Sequence, residues 1–335
     1  PQFQITILFT LPFRFLRMVR TSFSDRHPSG MITMAVVAVM IAVIFSYYQT
    51  TRWNPEMRFW KAAAAAKSGW VDSLRKSEDV PVIICLGGSA TGFGIDAEYA
   101  DRELDCRLAN FGLHAGMGAE ALIGFALSKA KRGDTLLVML EPELLADSEM
   151  ETALGIQFAY AIGEREILNW DGATSSFHLT NLRPGASNVF GVIGKIAMGR
   201  PLYRYQLRDM REGGLLTTSV TSGIVGRNSS PESLSESAKK LLKDLVSVAR
   251  QRKLEVIYGL PWVYSDEENA AFVRQGRSKL LNEVGQIMPV IYEDDLGVST
   301  EKINFRDSPQ HLSETAARRR TERLVKALEK NFAVR

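Results

Sequence analysis

Apolar residues follow two patterns along this chain, and together they predict alternating strands and helices. Short continuous apolar runs are typical of buried parallel strands, and they occur at 80–86, 106–111, 135–140, 254–260 and 289–292. Apolar residues at helical spacing predict helices at 96–104, 118–132, 233–252, 267–284 and 313–332. Strands and helices that alternate in this way predict an α/β fold with a doubly wound parallel sheet in three layers.

A different pattern comes before the first strand, where 31–48 contains eighteen residues without a charge. A helix of this length nearly crosses a hydrocarbon core of roughly 30 Å, so the run predicts a transmembrane helix. Tyr47, Tyr48 and Trp53 stand where an interfacial aromatic belt is expected. A buried core helix is the alternative. The absence of a small-residue cleavage site argues against a signal peptide.

The span divides the chain into four predicted parts. Residues 1–30 are apolar and basic, and we expect them to lie along the membrane interface or against a membrane-protein partner. After the span at 31–48, the alanine-rich segment 49–79 predicts a helical stalk. The α/β domain is expected to occupy 80–335, with an irregular insertion at 149–230 that could cap the site.

Composition narrows the class of protein. The chain has 335 residues, 45% of them hydrophobic and 24% charged, and these values are ordinary for a globular protein. A net charge of +3, with dispersed basic residues, gives no indication of nucleic-acid binding. Cys85 and Cys106 form neither a disulfide framework nor a zinc-binding pattern, and both are expected in the core.

The candidate chemistry lies at the two ends of the predicted domain. Ser89 follows the first strand in Gly-Gly-Ser-Ala-Thr-Gly, and parallel strands place functional side chains at their carboxyl ends. Asp307 and His311 stand four residues apart, just before the last helix. A serine needs a base that takes its proton, and that base needs a carboxylate that orients it, so these three residues could form a triad. Taken separately, the serine could be a turn residue and the Asp-His pair a helix cap.

These residues suggest a family. Gly-Gly-Ser followed by Gly-Ile-Asp, then Asn-Phe-Gly, then Asp-Ser-Pro-Gln-His-Leu before a terminal helix resembles the SGNH/GDSL hydrolase superfamily. The chain looks most like its membrane-anchored members that modify bacterial surface polysaccharides. The resemblance covers about 80–332, without the insertion.

The resemblance implies a role for each matching residue. It makes Ser89 the nucleophile, His311 the base and Asp307 the acid that orients the base. Asn110 and Gly112 in the second block, together with Gly88 beside the serine, correspond to donors for the oxyanion or the substrate. No metal or organic cofactor is needed for this chemistry.

The sequence also departs from the family pattern. The usual Gly-Asp-Ser reads Gly-Gly-Ser at 87–89, and the third block has Glu141 where an Asn is expected. The spacing between Asp307 and His311 is four residues instead of three. Glu141 and Glu143 could bind a substrate hydroxyl or a cation, or serve the loop. His114 could line the pocket or only pack.

Two functions follow as hypotheses. The first is an acetyl esterase or O-acetyltransferase, acting through the triad on an acylated polysaccharide outside the bacterial inner membrane, to which a single span attaches it. The second is an inactive or weakly active scaffold, or a glycan-binding subunit, in a polysaccharide synthesis or export complex. The departures from the family pattern and the membrane segment favour the second.

Overall fold

The fold is described from a computed structural model, which describes residues 28–77, 80–172, 193–221 and 223–332. The chain forms two compact units, Pro1–Phe45 and Ser46–Arg335. The interfacial helix predicted for residues 1–30 falls almost entirely outside the described ranges.

Four parallel strands form the centre of the second unit: β1 (Ile83–Gly87), β2 (Leu108–Gly112), β3 (Thr135–Val138) and β4 (Glu255–Tyr258). Their order across the sheet is β2-β1-β3-β4, and all three pairings are parallel. Except for Glu255, every strand residue is buried. The prediction of an α/β fold with a parallel sheet is therefore confirmed.

The helices that connect these strands also agree closely with the hydrophobic pattern. They are α3 (Ser89–Gly92), α4 (Ala97–Leu104), α5 (Gly118–Lys129), α6 (Pro142–Ala146), α7 (Ala153–Ile162), α8 (Glu236–Arg252), α9 (Glu267–Gly285) and α10 (Glu314–Phe332). Ser235 caps α8 by accepting a hydrogen bond from the Ala238 N–H at 3.0 Å. Ser313 caps α10 in the same way, through the Ala316 N–H at 3.3 Å. Such caps satisfy backbone donors that have no partner within the helix.

The last predicted strand, 289–292, forms only a single parallel bridge, between Tyr258 and Val290. Its two hydrogen bonds join the backbone of Tyr258 to Pro289 and Ile291. The apolar pattern gave no indication of a second, two-stranded parallel sheet, β5 (Val263–Tyr264) with β6 (Val298–Ser299). Strands of two residues are too short for periodicity to reveal.

Two helices precede the sheet, α1 (Pro28–Tyr48) and α2 (Pro55–Ser77), with a π-helical turn (Gln49–Trp53) between them. The helix predicted at 31–48 is thus present as α1. Over residues 30–45 of this helix the large apolar side chains are exposed, except Val43, which is half-buried. Within the described ranges, no helix is both long enough and apolar enough to qualify as a membrane span. Membrane crossing stays a prediction.

Helix α2 belongs to the domain and does not stand apart from it as a stalk. Trp60 and Trp70 are buried, and the Trp70 indole N–H donates to the Leu108 carbonyl of β2 at 3.1 Å. The alanines that predicted a helix also make close packing possible, because Ala63 and Ala64 are buried. The second unit accordingly begins at Ser46, well before the predicted boundary at 80.

The predicted insertion, 149–230, is described except for 173–192 and residue 222. Its described part contains α7, a 3-10 helix (Arg165–Leu168) and a second one (Leu207–Asp209). Leu215 and Leu216 are buried, so this segment is attached to the domain.

Candidate active site

Ser89 lies where the sequence places it, immediately after β1, as the first residue of α3. It is half-buried, while every other residue from 82 to 97 is buried. The strand order reverses between β1 and β3, and this is the crevice in which open α/β sheets bind ligands. The backbone therefore presents one partly accessible hydroxyl at the expected position.

Asp307 and His311 form a hydrogen-bonded pair on the loop before α10. His311 Nδ1 lies 2.8 Å from Asp307 Oδ1. The loop is closed by a hydrogen bond from the Arg306 N–H to the His311 carbonyl at 2.9 Å and by an antiparallel bridge between Phe305 and Leu312. The side chain of Asp307 is fully buried, and that of His311 is 9% exposed.

The surroundings of Asp307 favour its ionised form. Burial acts to raise the pKa of this carboxyl, but the hydrogen bond and charge of His311 and the charge of Arg204 lower the pKa below its usual value. Arg204 forms an ion pair with Asp307 Oδ2. The hydroxyl of Tyr205 donates to the same oxygen at 3.3 Å. An ionised Asp307 accepts a hydrogen bond from Nδ1–H of His311, which leaves Nε2 as the basic nitrogen.

The aromatic residue Phe93 joins the two parts of the site. Its ring stacks on the His311 ring, with centroids 4.1 Å apart and an interplanar angle of 15°. Its backbone N–H donates to the carbonyl of Ser89 at 2.9 Å. The serine turn and the base loop therefore share one side chain.

Among the described residues, none makes a hydrogen bond with the Ser89 hydroxyl, His311 included. Ser89 and His311 therefore lie at the same edge of the sheet without a hydrogen bond between them. Hydrogen bonds between nucleophile and base are often long without substrate and shorten when it binds.

The side-chain amide of Asn110, a predicted oxyanion donor, makes its hydrogen bonds within the protein. Its Nδ2 donates to the carbonyls of Thr91, Gly92 and Ile95 at 3.2, 3.2 and 2.7 Å. Its Oδ1 accepts from the N–H of Gly112, the second predicted donor, at 2.9 Å. Both groups thus brace the loop that follows Ser89, and neither has an N–H left for a substrate.

Lys67 of α2 supports the same brace, and the sequence interpretation missed it. Its Nζ donates to the Asn110 carbonyl at 2.9 Å and to the Gly214 carbonyl at 2.5 Å. The side chain is buried, and burial lowers the pKa of Lys67 to about 7. A signal was available, because Lys67 continues the apolar stripe of Trp60, Ala63 and Val71. A lysine on a buried stripe must find acceptors inside the protein.

The third predicted donor, Gly88, is also engaged. Its N–H donates to Glu141 Oε2 at 3.0 Å, and the N–H of Ala90 donates to Oε1 at 3.0 Å. Glu141 is buried, three residues after the end of β3. It therefore serves the loop, one of the roles considered for it, and binds the N–H groups of the residues before and after Ser89.

His114 packs near the site instead of forming part of the Asp-His pair. Its Nδ1 accepts from the Gly116 N–H at 2.9 Å, and its ring lies edge-on to Trp60, with centroids 5.8 Å apart. Burial lowers its pKa, Glu56 raises it and His311 lowers it. A half-buried imidazole with a lowered pKa suits this packing role.

A separate cleft of about 210 Å³ lies away from Ser89. It is lined by Asp96, Glu98, Tyr99, Arg102, Glu103, Arg211 and Arg318. Four of its charged residues pair with one another: Arg102 with Glu98 at 2.6 Å, and Arg318 with Asp96 at 3.2 Å. Paired surface charges offer little to a ligand. The Ser89 crevice is the stronger candidate.

Comparison with known proteins finds no matching family model, no matching curated protein and no matching solved structure. Among the described residues, no cluster of three or more His, Cys, Asp or Glu side chains could hold a metal ion. The function therefore has to be inferred from the geometry around Ser89.

Proposed function

We propose that this chain is a serine esterase or acyltransferase of the SGNH type, acting on an acylated glycan, most simply an acetylated polysaccharide. One observation carries the proposal. The hydrogen-bonded pair of Asp307 and His311 lies against Phe93, on the turn that begins with Ser89. A turn residue and a helix cap would have no reason to meet in this way.

The chemistry follows from these groups. Ser89 Oγ attacks the ester carbonyl while His311 Nε2 takes its proton, and Asp307 stabilises the resulting imidazolium. The tetrahedral intermediate collapses to an acyl-serine, and His311 returns the proton to the departing sugar hydroxyl. Water, or a hydroxyl of another sugar, then attacks the acyl-serine by the reverse sequence and releases Ser89.

The oxyanion needs donors other than the predicted ones, because Gly88, Asn110 and Gly112 use theirs internally. The backbone N–H of Ser89 remains, since it makes no hydrogen bond to any other described residue. It stands directly beside the reacting oxygen, where a single well-placed donor is worth about 10²–10³ in rate.

The proposed location is the outer face of a bacterial inner membrane, with α1 as the anchor and a membrane-protein partner as a further possibility. Nearly all the large apolar side chains of α1 from Met31 to Phe45 are exposed, and together they form a larger apolar surface than soluble proteins usually leave uncovered. Lipid is the simplest cover for a helix that is apolar on all sides. Detergent-dependent solubility that disappears when 28–45 is removed would support this anchor.

The test of the enzyme is Ser89→Ala, compared with Ser73→Ala. The hydroxyl of Ser73 donates to the Trp70 carbonyl on α2, away from the site. We expect Ser89→Ala to lose hydrolysis of a chromogenic acetyl ester and covalent labelling by a fluorophosphonate, and Ser73→Ala to keep both. If Ser89→Ala were labelled and turned over ester as fast as wild type, Ser89 would be rejected as the nucleophile.

A scaffold or glycan-binding subunit is the second candidate. The absence of a bond between the Ser89 hydroxyl and His311 in the described structure favours it, as does the internal use of the three predicted donors. In that case, folded wild-type protein would fail to react with the fluorophosphonate. It would still bind acetylated glycan, and cells with Ser89→Ala would acetylate their polysaccharide normally.

A further inference from the structure

The carboxylate of Glu141 crosses the crevice between β3 and β1. Its two oxygens lie 3.0 Å from the backbone nitrogens of Gly88 and Ala90, so one side chain binds the N–H groups of the residues before and after Ser89. Thr91 adds a second link, because its hydroxyl donates to the Met139 carbonyl at 3.0 Å. The Ser89 turn is therefore attached to the end of β3.

The same carboxylate explains why position 88 is a glycine. A Cβ at Gly88 would lie 2.4 and 2.6 Å from the Glu141 oxygens, and 2.7 Å from the Ala115 Cβ. These distances are far below contact, so no side chain fits while Glu141 is in place. The two departures from the family motif, Gly88 and Glu141, thus belong to one local arrangement.

We propose that Glu141 is a positioning residue for Ser89: its carboxylate holds the N–H groups of Gly88 and Ala90, a contact called the Glu141 clamp below, and so sets the direction of the serine hydroxyl and N–H. This inference rests on the proposed function. The inference concerns the reaction and not only stability, because a displacement of a reacting group by about 1 Å can lower the rate of an enzyme about 100-fold.

Charge supports this role. Only an ionised carboxylate accepts fully at both oxygens, so the clamp is strongest when Glu141 is charged. Burial raises the pKa of Glu141 to about 7, the hydrogen bonds from the Ala90 and Gly88 N–H groups oppose that rise, and Glu143 adds to it. Tyr258 is the other titratable group that interacts with it, and its hydroxyl donates to the Leu140 carbonyl at 2.9 Å. We therefore expect the clamp to loosen as the pH falls through about 7.

The variant Glu141→Gln tests this role, because it keeps the shape of the side chain and leaves one acceptor oxygen for two N–H groups. Glu120→Gln is the matched control. Burial likewise raises the pKa of Glu120 to about 7, but its neighbours are Glu151, Asp171 and Lys240, away from Ser89. Both proteins are compared with wild type as full chains.

For Glu141→Gln we expect a fall in kcat for the acetyl ester and in the rate of fluorophosphonate labelling, each by about 10- to 100-fold, with KM within about twofold. Glu120→Gln should match wild type. A Glu141→Gln protein with wild-type kcat and labelling rate would overturn the proposal. So would a loss confined to KM.

A second measurement does not depend on activity. The amide proton resonances of Gly88 and Ala90 should shift with pH around 7 in wild type and in Glu120→Gln, and lose that response in Glu141→Gln. An unchanged response in Glu141→Gln would refute the clamp. If the response is lost while wild-type protein neither turns over ester nor reacts with fluorophosphonate, the proposed function fails and the clamp on the turn stands.

Discussion

The Ser89 turn and the Asp307–His311 loop meet at one edge of the sheet, but they are held there differently. The turn donates hydrogen bonds to and accepts them from fully buried polar groups, the carboxylate of Glu141 and the amide of Asn110. The Asp-His pair instead contacts Arg204, whose side chain is 54% exposed, and the partly buried Tyr205.

This difference in burial predicts that the Ser89 turn is the more rigid of the two and the Asp307–His311 loop the more mobile. A buried polar network with every member paired holds one geometry, because breaking any bond leaves an unsatisfied group in a low-dielectric interior. Side chains that reach water lose less when they move. Ser89, the proposed nucleophile, is thus held more rigidly than the loop that carries the proposed base, His311. The predictions below test this contrast from the larger effects to the smaller.

The largest effect should come from Asp307→Asn on the loop side. An amide cannot hold the His311 tautomer that leaves Nε2 basic, so we expect kcat/KM for the acetyl ester to fall about a thousandfold. Thermal unfolding should change little in comparison. Asp295→Asn, at an exposed ion pair with Arg323, is the control and should retain activity. Activity near wild type in Asp307→Asn would remove the acid from the mechanism.

On the turn side, Asn110→Ala should act through stability. It leaves the carbonyls of Thr91, Gly92 and Ile95 without their common donor, so the free energy of unfolding should fall by about 3 kcal/mol in urea denaturation. Asn282→Ala, at an exposed contact with Tyr292, should cost only about 0.5 kcal/mol. A similarly small cost for Asn110→Ala would show that the turn is not held by this network.

The buried side chain of Lys67 makes the free energy of unfolding depend on pH. Burial lowers the pKa of Lys67 in the folded chain to about 7, well below its usual value of 10.5. Between these values the unfolded state binds more protons, so the free energy of unfolding should rise from pH 7 to pH 9, by on the order of 2 kcal/mol. Lys67→Met should abolish this rise.

The control for this measurement is Lys61→Met, an exposed lysine on the same helix, which should keep the wild-type rise. If Lys67→Met followed the wild-type curve, the rise would have to come from other groups. Urea denaturation at pH 7 and pH 9 distinguishes these cases.

The smallest effect belongs to Tyr205→Phe. It removes one long hydrogen bond to Asp307, at 3.3 Å, so kcat/KM should fall only about two- to fivefold. Tyr99→Phe loses a shorter hydrogen bond, to Glu322 at 2.5 Å, but outside the site, and should not change kcat/KM. A loss as large as that of Asp307→Asn would mean that the base loop is as rigidly held as the turn.

Much of the fold could be predicted from sequence because burial imposes a simple pattern. Four continuous apolar runs became the central parallel strands, and the helix predicted at 267–284 is observed as Glu267–Gly285. The prediction was less accurate where a segment is neither strongly apolar nor strongly polar. The alanine-rich stretch around 62–66 predicts a helix but does not show whether the helix stands in water or packs against the sheet.

The sequence by itself determined which groups could react: a serine after the first strand, and an Asp and a His four residues apart before the last helix. These facts depend on chemistry and on short spacing along the chain. Only the tertiary structure decided which polar groups are consumed internally. Asn110 and Gly88 carry the right donors, but their acceptors lie on other segments, at Ile95 and Glu141, and Asn110 in turn takes up the N–H of Gly112. Hydrogen bonds between segments distant in sequence do not recur at a fixed spacing along the chain, so no local sequence pattern predicts them.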